Sequence, residues 1–161
     1  SGGAGTHTTS TTTANNGIAE DLSAAVAAGH EWYATTMVSR DVREIVEAAA
    51  WHESASPSKL LFAQHSQAAS LTGAYDAASP YADLPSELKA LGYNRTALMY
   101  HGTDSAGAVS AWLGARLPFD PGTQTWAHKK LVGITADALT SAQVGILTGT
   151  SSLPVIRHPR A

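Results

Sequence analysis

The chain has 161 residues, 43% of them hydrophobic and only 14% charged, with a net charge of -3. That length and apolar content suit one core-forming domain, and a charged fraction well under the usual ~25% is compatible with extensive contact to other protein, though it also occurs in ordinary monomers. Without a basic run there is no electrostatic footprint for nucleic acid. Without cysteine there are no disulfides, thiolate metal sites or cysteine nucleophiles, and no apolar stretch approaches the ~20 residues of a membrane helix.

Residues 1–17, SGGAGTHTTSTTTANNG, carry almost no apolar content and read as a flexible tail or linker. An α/β domain is expected over 18–148, followed by an irregular segment, 149–161, in which Pro154 and Pro159 oppose a helix. Within the domain, Ile18, Leu22 and Val26 recur at helical spacing. WYATTMVS, 32–39, is aromatic and β-branched and reads as a strand. Asp41 followed by Glu44 has the spacing of a helix cap, with Val42, Ile45, Val46 and Ala49 on one stripe. KLLFAQHS, 59–66, reads as a buried strand. After an irregular stretch, Asp83 is expected to cap a short helix through Leu88 and Leu91 that Gly92 stops.

RTALMYH, 95–101, predicts a third strand, and a helix from about 105 to 117 follows it. The corner LPFDPG, 117–122, closes that helix, because proline fixes φ and glycine relieves the turn. WAHKKLVGI, 126–134, predicts a fourth strand, and Thr140 with Gln143 has the spacing of a capping box for a last helix. Helices alternating with strands predict a layered α/β fold, with a mostly parallel sheet of four or more strands flanked by helices.

Candidate chemistry is sparse. None of the seven histidines pairs with another at the i, i+4 spacing of a helical metal site, so neither a metal nor a cofactor is expected. His65 and His101 both fall at strand carboxyl ends, where open α/β sheets form ligand crevices. That is the best enzymatic hint, although a histidine hydrogen-bonded to a loop is the commoner use of such a position. AWHES, 50–54, sets His52 beside Glu53 and Ser54, but neighbours in sequence do not face one another on a helix, which leaves a polar helix end. HGTDSAG, 101–107, reads as a strand-to-helix turn capped by Asp104 or Ser105. No nucleophile elbow and no phosphate-binding loop is present. Trp112 is a core residue by its helical neighbours. Trp51 lies about half a turn off the apolar stripe of its helix, so it either covers a flank or faces a partner.

The run from Tyr93 to Gln143 resembles the sheath proteins of contractile bacteriophage tails. Its pieces are Tyr93–Thr96, Trp112, Leu117–Gly122, Thr125–Lys129, Leu131–Thr135 and Leu139–Gln143. DLSAAVAAGHEWYATTMVS and KLLFAQHS are similar to that family's preceding helix and two strands, so the resemblance covers about residues 18–147. It implies a non-enzymatic structural protein of the virion tail, assembled in a bacterial cytoplasm. Its partners would be other sheath subunits, the tail tube and the baseplate, with no membrane and no nucleic acid. Trp51, Arg116, Lys129 and Lys130 are the candidate subunit contacts. The family's pattern does not continue after Leu147 or before residue 18, which marks this chain as a fragment or a reduced relative. Two alternatives stand beside this reading: a small α/β enzyme with a site near His65, His101 and Asp104, and a virion-decorating binding module.

Overall fold

The computed structural model describes residues 17–29, 31–79, 81–103, 107–120, 123 and 131–150. Its helices are α1 (Gly17–Ala27), α2 (Val42–Ser54), α3 (Leu84–Ala90), α4 (Ala108–Gly114) and α5 (Ser141–Thr150). Its strands are β1 (Ala34–Thr36), β2 (Leu60–His65) and β3 (Thr96–Tyr100), parallel and adjacent in chain order. The register runs from Ala34 opposite Leu60 and from Leu61 opposite Thr96, ending with His65 opposite Tyr100. The fold is therefore α/β with a parallel sheet, as the alternation of periods implies.

Two crossovers of the same hand place α2 and α3 on one face of the sheet. Ile45, Ala48 and Ala49 from α2 and Leu84 and Leu88 from α3 pack there on Leu61, Ala63 and Leu98. The other face takes α4, whose Ala108, Val109, Trp112 and Leu113 meet Phe62 and Met99. Trp112 stands edge-on to Phe62 at 5.6 Å and 64°, worth roughly 0.5–1.5 kcal/mol beyond the area buried. β2 is thus covered on both sides, which explains its continuous apolar run.

Several local signals are realised directly. Asp41 caps α2, its Oδ1 accepting from Arg43 N at 2.8 Å. Thr140 and Gln143 form the reciprocal box at α5: Thr140 N donates to Gln143 Oε1 at 2.9 Å, and Gln143 N to Thr140 Oγ1 at 3.2 Å. Gly92 takes φ +72 just past α3, where a side chain would be strained.

Other expectations change. β1 spans three residues instead of eight, and α4 begins at 108. Asp83 precedes α3, but its carboxylate makes no capping bond. Gln67 Oε1 accepts from Leu84 N instead, at 2.9 Å. Among the described residues the sheet has three strands. Residues 131–134 of the expected fourth strand form a turn, with Ile134 N donating to Leu131 O at 3.4 Å. The cause is local: Leu131 buries against the α4 face, Val132 is 95% exposed, and Gly133 takes φ +78. Residues 126–130 lie outside the described residues.

Candidate functional site

The carboxyl ends of β2 and β3 are the place to look, because parallel sheets leave their strand-end loops there. Alternation along β2 turns His65 to the same face as Leu61 and Ala63, toward α2 and α3. Tyr100, directly opposite, shares that face with Leu98, and the His65 and Tyr100 rings meet edge-on at 5.5 Å. α3 starts at this same end, which brings Asp83 to His65.

His65 is 2% exposed, and burial holds its imidazole down to about 4, although the Asp83 charge pulls the other way. The ring is therefore neutral at pH 7. Its Nδ1, the Oγ of Ser70 and both carboxylate oxygens of Asp83 are buried without a hydrogen-bond partner. Asp83 is free of the cap because Gln67 has taken that role. Gln67 also donates from Nε2 to Tyr81 O at 2.7 Å, which pins the chain leaving β2 against the start of α3.

His101 is 2% exposed and has both ring nitrogens engaged by backbone. Thr103 N donates to Nδ1 at 3.1 Å, so the ring proton sits on Nε2, which donates to Thr135 O at 3.0 Å. Asp137 Oδ2 lies 4.0 Å from Nδ1, and in this tautomer the two form no ion pair. The Asp137 carboxylate instead receives Gly102 N on both oxygens at 3.1 Å. A side chain at 102 would stand 3.1 Å from Asp137 Oδ1, so glycine admits the carboxylate. Burial and the Asp137 charge together raise the Tyr100 phenol. A general base needs a free lone pair within reach of a substrate. His101 has none free, and His65 is covered. These groups tie the segment 131–140 and the chain after β2 onto the strand ends. Asp104 and Ser105 lie outside the described residues.

AWHES is the polar end of α2, with Ser54 exposed and Glu53 half-buried. His52 is fully buried: Nδ1 donates to Ala48 O at 2.7 Å and Nε2 meets Thr35 Oγ1 at 3.3 Å. Burial lowers its imidazole too, against the hydrogen bond to Ala48. Glu53 receives the backbone N–H of Asn94 and of Arg95, while the Arg95 guanidinium donates to His52 O and Ala55 O, each at 2.9 Å. Arg95 thereby closes the end of α2. Ser54 bonds back to Trp51 O at 2.9 Å. The three polar neighbours go to three separate partners, and no triad forms.

Trp51 is half-buried. Its indole Nε1 donates to Ser23 Oγ on α1 at 2.8 Å, and its ring meets His52 edge-on at 5.0 Å. Arg116, just beyond α4, is half-buried. Lys129 and Lys130 lie outside the described residues. Sequence reasoning missed Gln67, Asp83, Tyr100 and Asp137 as members of the strand-end cluster. Only the strand-end position of Tyr100, one residue before His101, signals any of them.

Among the described residues, no three or more His, Asp or Glu side chains gather as a metal site requires. Also among them, no helix is long and apolar enough to cross a membrane. Comparisons of the chain with protein-family models, with curated proteins and with solved structures each found no match.

Proposed function

We propose that this chain is the α/β domain of a contractile tail sheath subunit, a structural protein that works by self-assembly around a tail tube. The observation that carries the reading is the order and spacing of the resembling segments from residue 18 to 147. The internal use of the strand-end histidines supports it against the enzymatic alternative. His101 is bonded at both nitrogens, and His65 is buried against Tyr100. The low charge of the chain supports it as well, since a subunit stacked in rings covers much of its surface.

On this reading the domain carries load as a body, and the sliding interfaces lie around it. Arg116, Lys129 and Lys130 are the proposed contacts with neighbouring subunits. The partners are further copies of the subunit, the tube and the baseplate, and no residue is assigned a catalytic role. The test is light scattering and sedimentation of the product of the complete open reading frame, across salt and protein concentration. Assembly into large particles is expected, and Arg116→Glu, Lys129→Glu and Lys130→Glu together should weaken it. A monodisperse monomer throughout would overturn the reading.

A further inference from the structure

The connection from β2 to α3 lies at the strand ends, where residues 68–71 pack against α3 and α5 and Gly73 lies against the Ile146 side chain of α5. Residues 66–79 hold one short 3-10 turn, Ala68–Leu71, and residues 72–79 are exposed. Its polar ties are Gln67 to Tyr81 O and Leu84 N, and Tyr75 OH donating to Glu87 Oε2 at 2.9 Å. Buried polar atoms without partners gather here: His65 Nδ1 at the end of β2, the Asp83 carboxylate before α3, and Ser70 Oγ in the connection itself. Buried polar groups are nearly always paired, and each exception raises the cost of the covered state relative to an open one in which water reaches them.

We propose that this connection is an acid-released strap: uptake of a proton by His65 lifts residues 66–79 off the carboxyl ends of β2 and β3 while the sheet stays folded. Covered, His65 lies in a setting that opposes its charged form. Open, water solvates it. The groups facing it do not reverse this balance. Asp83 from α3 is the charge that favours the imidazolium, and burial outweighs it. Tyr100 from β3 offers a ring edge. Glu87 is engaged by Tyr75. From α2, Arg43 lies over the Tyr81 ring at 5.5 Å. The connection adds Ser70 and Gln67, which do not titrate, and Tyr75 and Asp76, neither of which shifts His65; α5 has no charged side chain. With the ring at its ordinary 6.5 when open and about 4 when covered, opening becomes about twentyfold more favourable at pH 5 than at pH 7. The strap proposal does not depend on the assembly reading.

The test is hydrogen exchange of the whole chain at pH 7 and pH 5, each rate normalised to the same peptide in unfolded protein. Strap peptides should open at lower free energy than those of β2 and β3 at both pH values. Their opening should rise about twentyfold on acidification, and this rise should vanish in His65→Leu. Should that variant fail to fold, the wild-type ring followed by NMR replaces it, and its titration must track the loss of strap protection. Strap and sheet sharing one opening free energy would overturn the proposal. So would an undiminished acid response in His65→Leu, or a ring titrating near its ordinary value under a strap that stays protected.

Discussion

Trp51 on α2 donates its indole N–H to Ser23 Oγ on α1 at 2.8 Å. α1 contains no fully buried residue, and its Ile18 and Leu22 pack half-buried against the cluster that holds Ile45, Ala48 and Ala49 of α2. A tryptophan off its own helix's apolar stripe is accounted for within the chain, because α1 lies where the sequence leaves room for a partner. Trp51→Ala should cost about 2 kcal/mol, below the ~3–5 of a fully buried site. Ser23→Ala should cost about 1 kcal/mol. Urea denaturation of both variants checks this, and an unchanged midpoint in Trp51→Ala would remove the clamp from the account.

Gln64 links the sheet to α4. Its Oε1 accepts from Ala108 N at 3.0 Å and from Val109 N at 3.3 Å, inside the core. The first turn of α4 is thus capped from β2, with no side-chain cap at Gly107. Gln64→Leu should destabilise by roughly 1–3 kcal/mol, because two buried N–H groups lose their acceptor. Chemical denaturation and exchange of the Ala108 and Val109 amides measure it.

Acid should weaken the fold in a defined window. His65 and His52 are both held below their ordinary value of 6.5 by burial. A base whose folded value is depressed takes up protons more readily unfolded, so its contribution is complete above 6.5 and is lost as pH falls. For His65 the window runs from 6.5 to about 4, a loss of about 3 kcal/mol by linkage. Unfolding free energies at pH 7 and pH 4.5 check the sign, and a flat profile would contradict it.

Gly102 and Asp137 fasten the segment 131–140. Gly102→Ala would set a Cβ 3.1 Å from Asp137 Oδ1 and 3.6 Å from the Tyr100 hydroxyl. It should cost about 1 kcal/mol, and Asp137→Ala a similar amount by leaving Gly102 N without its acceptor. Because both variants break one contact, their double mutant should fall short of the sum. Additive losses would show that the contact is not shared.

The sequence announces whatever depends on local pattern. The stripe of α2, the buried run of β2, the Thr140–Gln143 box and the stop at Gly92 follow from spacing within one element. The Gln67–Leu84 and Gln64–Ala108 bonds join residues 17 and 44 apart, and no local signal marks them. Asp83 shows the limit most clearly. It occupies a cap position and has a cap's chemistry, yet a glutamine from the preceding connection takes the N–H. The turn at 131–134 shows another, because Leu-Val-Gly-Ile reads as a strand until Gly133 adopts a positive φ. His65 and His101 are visible as strand-end histidines, but that both are covered depends on segments far along the chain.

The central claim is tested most directly by negative-stain electron microscopy of the complete open reading frame's product. The account predicts rings or tubes with a central channel, built from repeating subunits. Isolated particles of single-subunit size, at every salt and protein concentration, would contradict it.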